Sequence, residues 1–174
     1  MIFTIGHSTR PIAEFLSLLS AHQITHLADV RTVPRSRRHP HFEQGALSAS
    51  LGQAGMAYRH FPVLGGLRKP KPDSSNSGWK NASFRGYADH MQTPAFDRAV
   101  EELLAWPGDE PDARVVIMCA EAVWWQCHRQ LIADALVARG IDVAHIMSAA
   151  VATPHTLTSF ARVESRKVLY PGLL

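Results

Sequence analysis

The sequence predicts an α/β protein of three layers, a mainly parallel five-stranded sheet with helices on both faces. Three observations predict it. Short apolar runs alternate with stretches whose apolar residues recur at helical spacing. At 174 residues, with 46% hydrophobic and 19% charged residues, the chain fits a single domain (1–174) that can bury a full core without staples. No internal repeat, heptad array or long low-complexity tract points to another architecture.

The first strand is read at residues 2–5 (IFTI), stopped by Gly6. Pro11 stands where a first helical turn tolerates proline, and Ile12, Phe15, Leu16 and Leu19 share a helical face. Residues 26–30 (HLADV) form a buried strand, followed by a polar loop to His41 and a helix over 42–52. Residues 56–61 alternate as a half-buried third strand, ended by Pro62 and Gly65-Gly66. The stretch 67–81, rich in proline, serine and glycine, has little apolar surface to bury and reads as a mobile loop or lid. Helix resumes at 87–91 and again at 94–106, where Pro107-Gly108 breaks it. Residues 114–119 are the most strand-like run and 126–139 the clearest amphipathic helix, closed by Gly140. A fifth strand follows at 143–147, and Leu157, Phe160 and Ala161 have the spacing of one last helix.

The N-terminus MIFTIGHST lacks the basic and long apolar regions of a secretory signal, and no apolar run approaches the ~20 residues of a membrane span. A cytoplasmic protein with no membrane partner is expected. In that reducing setting the two cysteines, Cys119 and Cys127, are better read as ligands or catalysts than as a bridge. The formal net charge of +3 and ten histidines are compatible with an anionic ligand.

Parallel sheets bind ligands beyond the carboxyl ends of their strands. That edge should collect Gly6-His7-Ser8-Thr9, Asp29-Val30-Arg31, the segment 60–66 and Cys119-Ala120-Glu121. Cys127, His128 and Arg129 open the next helix, where the dipole favours anions and lowers thiol pKa values.

The blocks TIGHST, DVRTVPRSRR, YRHFPVLGG, FRGYADHM and CAEAVWWQCHR, with VAHI downstream, resemble a family found in bacteria and archaea, the domain of unknown function 488 family. The resemblance runs from Thr4 to Ile146. It implies an α/β fold and a site built from these blocks, and it brings no established reaction.

Three chemistries suit the residues. In the first, Cys119 and Cys127 with an imidazole, His128 foremost and His7 or His60 as alternatives, hold a soft transition metal, iron or zinc. The Cys-x7-Cys spacing is not that of a zinc knuckle, and a thiol ending a strand is commonly just a small apolar residue. In the second, the protein is a hydrolase or transferase for a small phosphorylated or carboxylated compound. Ser8, Arg31 and Arg129, with Arg35 as a further candidate, bind the anion, His7 or His128 moves protons, and Asp29 or Glu121 orients them. A phosphatase-type loop needs arginine six residues after its cysteine, and positions 125 and 133 are Trp and Ala. Asp29 and Arg31 also suit a structural pair. In the third, Arg31, Arg35, Arg37 and Arg38 with Trp79 and Tyr87 contact nucleic acid, the least favoured partner because no nucleic-acid motif is present. Trp124 and Trp125 suit packing against a neighbouring helix or a second subunit, so a homo-oligomer is compatible with the sequence. His22, His26 and His145 read as surface or satisfied core positions.

Overall fold

Apolar residues fill both faces of one twisted sheet in the computed structural model, which describes residues 1–172. In chain order the elements are β1 (Ile2–Gly6), α1 (Ile12–Ala21), β2 (His26–Asp29), α2 (Gln44–Gln53), β3 (Ala57–His60), α3 (Ala82–His90), α4 (Pro94–Ala105), β4 (Val115–Cys119), α5 (Arg129–Val137) and β5 (Val143–Ile146). A two-residue β6 (Thr153–Pro154) and a hairpin of β7 (Arg162–Glu164) and β8 (Lys167–Leu169) complete them. The sheet order is β3-β2-β4-β1-β5-β6. Neighbours from β3 to β5 are parallel, and β6 is antiparallel to β5.

The expected α/β class and parallel sheet are present, with six strands in the main sheet rather than five. The added β6 has two residues, one of them Pro154, so it carries no alternation that a sequence pattern could reveal. Two helix starts also move, and one expected helix is absent. Helix α3 begins five residues before the expected 87, because the Asn81 side chain accepts from the backbone N–H groups of Ser83 and Phe84. Residues 124–126 form a separate 3₁₀ turn, so α5 begins at Arg129 rather than 126. The helix expected around Leu157 to Ala161 does not form. The Thr158 N–H is drawn instead to the Asp134 carboxylate at 2.9 Å, and the chain runs on into the β7–β8 hairpin.

Alternation along β4 divides the core. Val115, Ile117 and Cys119 face the layer of α3, α4 and α5, while Val116 and Met118 face α1 and α2. All five residues of β4 are buried because both faces are covered, whereas edge strand β3 alternates between exposed and half-buried. The chain leaves β1 toward α1 on one face and leaves neighbouring β4 toward α5 on the other. Adjacent connections that part to opposite faces open a crevice at the carboxyl edge. Gly6 ends β1 there, and a Cβ at this position would lie 1.8 Å from the Glu121 carbonyl oxygen. Only glycine lets the segment after β4 pass so closely over β1.

The segment 67–81 contains no helix or strand. Asp89 accepts hydrogen bonds from the Lys71 N–H at 2.8 Å, from Ser74 Oγ at 2.6 Å and from Asn76 Nδ2 at 2.8 Å. Burial would raise the Asp89 pKa, and these donors hold it below the usual value.

Beneath α5 runs a buried polar chain. Asp134 accepts from the Tyr170 hydroxyl and from His155 Nε2, each at 2.8 Å. Because a carboxylate only accepts here, His155 presents its Nδ1 lone pair to His145 Nε2–H at 2.9 Å, and His145 Nδ1 accepts from the Thr4 hydroxyl at 2.7 Å. Trp124 stacks on His145 with centroids 4.0 Å apart and planes within 4°. His145 is thus a satisfied core position, as its sequence context suggests. Burial, with the neighbouring His155 and Arg129, lowers the His145 pKa to about 3, and burial lowers that of His7 to about 4. Between these values and 6.5 the unfolded chain binds protons that the folded chain refuses, so stability falls as pH drops through that window. Urea unfolding from pH 7 to pH 4 should show this loss, at up to about 1.4 kcal/mol per pH unit for each histidine. His145→Asn should be less stable at pH 7 but show a shallower slope; an unchanged slope would contradict the assignment.

Candidate functional site

Strand β4 delivers Cys119 as its last residue, at the switch point beside Gly6. The chain then makes the Trp124–Gln126 turn and returns Cys127 and His128 to the same place before α5 begins. Cys119 and Cys127 are 8% and 2% exposed, and both are free thiols. Their sulfurs and one ring nitrogen of His128 all lie within 4.8 Å of one another.

His128 is held in a fixed orientation. Its Nε2 donates to the Val30 carbonyl at 3.0 Å, which turns Nδ1 toward Cys127 Sγ, 3.6 Å away. Gly66 makes room for this ring, because a Cβ there would lie 3.0 Å from Nδ1.

Arg129 is 1% exposed and has no carboxylate within ion-pair distance among the described residues. Its Nε donates to Cys127 Sγ at 3.4 Å, and its Nη2 donates to the Glu121 carbonyl. A buried guanidinium demands a nearby anion, and the Cys127 sulfur is the group positioned to supply it. A hydrogen bond from Cys119 holds the Cys127 thiol well below its ordinary pKa, with further support from His128 and Arg129 against the opposing effect of burial. The same bond and burial push Cys119 up. Of the two thiols, Cys127, beside Arg129, is the one held toward the thiolate, and Cys119 the one held toward the protonated form.

A cavity of about 420 Å³ opens above this pair. Cys119, Glu121, Cys127 and His128 border it, with Tyr87 and Phe84 of α3 along one wall and Arg31, Val33 and Arg35 along another. The Glu121 side chain is exposed at this border. Tyr87 is occupied, donating its hydroxyl to the Leu64 carbonyl at 2.7 Å.

The remaining expected site residues are drawn away from the cysteines. Asp29 accepts from Arg31 Nη2 at 2.6 Å and from the Tyr58 hydroxyl at 2.8 Å, and Arg31 Nη1 donates to the Phe42 carbonyl. The Asp29–Arg31 couple is a buried, neutralised ion pair that ties the end of β2 to the segment before α2. His7 stacks on Phe42 at 4.1 Å, on the α1–α2 face. Its Nδ1 donates to the Ser8 carbonyl and its buried Nε2 has no partner among the described residues. Ser8 turns the chain at φ 49° and does not border the cavity. His60 donates to the Arg31 carbonyl at 2.8 Å. So Cys119, Cys127, His128, Arg129 and Glu121 converge, while His7, Ser8 and Asp29 stand apart and Arg31 reaches the cavity wall with its charge already balanced.

Sequence reasoning missed Phe84, Leu67 and Asn81 as cavity residues. They lie in a stretch of weak periodicity, and only the folding of α3 over the crevice brings them in. Gly66 carried the one available signal, a glycine pair after a strand.

Fold and site together define an α/β protein with a cluster of two cysteines and a histidine at the switch point of a mainly parallel sheet. The chain belongs to the family described as Domain of unknown function DUF488, whose profile matches residues 11–136. The TIGHST and VAHI blocks lie outside that span. No curated protein and no solved structure matches the chain.

The inequality of the two thiols has a chemical consequence. In metal-free protein at pH 6.5, iodoacetamide should alkylate Cys127 well ahead of Cys119, as read by peptide mass spectrometry, since the thiolate is the nucleophile. Preferential labelling of Cys119 would reverse the assignment.

Proposed function

We propose that the protein binds a soft transition metal ion, iron or zinc, through Cys119 Sγ, Cys127 Sγ and His128 Nδ1, and presents the remaining coordination position to the cavity. The observation that carries this reading is the convergence of two sulfurs and one ring nitrogen within 4.8 Å of one another, with His128 Nδ1 turned toward Cys127 by the bond from Nε2 to the Val30 carbonyl. Three protein ligands with one open position are the pattern of reactive rather than purely structural sites. The Val30 carbonyl orients the histidine and Arg129 orients the Cys127 sulfur, which are the supporting contacts that tune such ligands. Two thiolates balance a divalent ion, and the nearby Arg129 then leaves the centre with excess positive charge. An anionic fourth ligand is favoured for that reason.

A second reading has its own support. Without metal, the Cys127 thiolate is an activated nucleophile beside a cavity bordered by Arg35, suited to a hydrolase or transferase acting on a small phosphorylated or carboxylated compound. In that case His128 and Glu121, which border the cavity, take the proton-handling roles in preference to His7 and Asp29.

Plasma mass spectrometry on untagged protein purified without chelators should find close to one iron or zinc per chain. Cys119→Ser and Cys127→Ser should each lower that content by tenfold or more while the circular dichroism spectrum is retained. Equal metal content in all three proteins, or none in the wild type after anaerobic preparation, would move the weight to the thiolate reading.

A further inference from the structure

The cavity above the cysteines is framed by two segments of unusual charge. Residues 31–42 and 65–88 carry half of the chain's 18 Lys and Arg residues and only one, Asp73, of its 15 Asp and Glu residues. Apart from Arg31, none of these cations makes an ion pair among the described residues. Arg35 borders the cavity and its side chain is exposed, so it is the cation placed to meet a ligand's charge.

One part of the cavity wall is apolar, beside the polar Thr32, Asn81, Ser83, Glu121 and Gln126. Val33, Leu67 and Phe84 line the cavity, and Val33 and Leu67 remain 56% and 84% exposed at its rim. Leu67 adopts φ 57°, the left-handed region that a leucine occupies only under strain. A strained, solvent-exposed leucine at the lip of a cavity is the behaviour of a clamp residue awaiting contact. The N-terminus of α3 also faces this space, but the Asn81 side chain already accepts from its Ser83 and Phe84 N–H groups. Recognition of an anion therefore falls to arginine rather than to the helix end.

From these features, and resting on the reading of the Cys119–Cys127–His128 centre as the cavity floor, we propose that the ligand is a small aryl or similarly apolar compound bearing one carboxylate or phosphate. Its body lies between Leu67, Val33 and Phe84, and its charged group pairs with Arg35. A cavity of about 420 Å³ is the size that encloses such a molecule. The surrounding lysines and arginines raise its local concentration by steering.

Isothermal titration calorimetry on the zinc-loaded full chain tests this with phenyl phosphate, phenylacetate, inorganic phosphate, acetate and benzyl alcohol. An aryl anion should bind about tenfold or more tightly than both its inorganic or acetate counterpart and benzyl alcohol, since only it satisfies wall and arginine together. The preference between phenyl phosphate and phenylacetate identifies the charged group. Arg35→Ala and Phe84→Leu should each weaken that binding about tenfold while retaining the wild-type zinc content. Leu67→Gly should raise the melting temperature of the free protein and weaken aryl-anion binding, because glycine relieves the backbone strain and removes the clamp. Arg35-dependent aryl-anion binding by a chain that holds no metal would support this proposal and remove the metal reading beneath it. Equal affinity for aryl and simple anions, or an Arg35→Ala variant that binds as the wild type does, would overturn it. So would a single-stranded oligonucleotide that binds more tightly than any aryl anion with a steep salt dependence.

Discussion

A guanidinium buried without a carboxylate is a demand that the surrounding structure has to meet. Arg129, 1% exposed at the start of α5, meets it with the sulfur of Cys127 and the carbonyl of Glu121. Losing solvation raises the free energy of an isolated charge by several kcal/mol, so the anion beside it cannot be an optional feature. That requirement favours the thiolate form of Cys127 and, through the neighbouring sulfur, the protonated form of Cys119. One unpaired cation thereby gives chemically distinct roles to two cysteines that are both buried and both free.

Topology supplies the meeting place. Connections from adjacent β1 and β4 leave on opposite faces, and the crevice between them is where Cys119, Cys127 and His128 gather. The approach is tight: Gly6 admits the backbone of Glu121 and Gly66 admits the ring of His128. Apart from His7 Nε2, the buried polar groups near this edge are closed off in pairs and chains. Asp29 with Arg31 and Tyr58 seals the end of β2, and Thr4, His145, His155, Asp134 and Tyr170 form a continuous series under α5. With these groups satisfied, the open chemistry of the carboxyl edge is concentrated at the cysteine centre and in the cavity above it.

The same face of the molecule has opposed surface qualities. The segments bordering the cavity are rich in unpaired cations, yet part of the cavity wall is apolar. Under the proposed reading, the apolar body and the charged group of the ligand meet these two qualities separately, with Leu67, exposed at φ 57°, at the apolar lip.

The α/β class, the five parallel strands and the five helices were legible in the sequence because period-2 and helical apolar patterns survive without knowledge of the partner surface. Cys119 with Cys127, His128 and Arg129 was legible as well, since a strand-to-helix turn confines them to one short segment. Strand β6, the β7–β8 hairpin and the early start of α3 were not, because each depends on a hydrogen bond to a distant or local polar group rather than on periodicity. Alternation on either side of the sheet explains the rest. His7 and Asp29 end strands at the same edge as Cys119, and sequence places all three together there. Their side chains emerge on different faces, and only the tertiary structure decides which of them share a space, since a shift of one residue along a strand exchanges one face for the other.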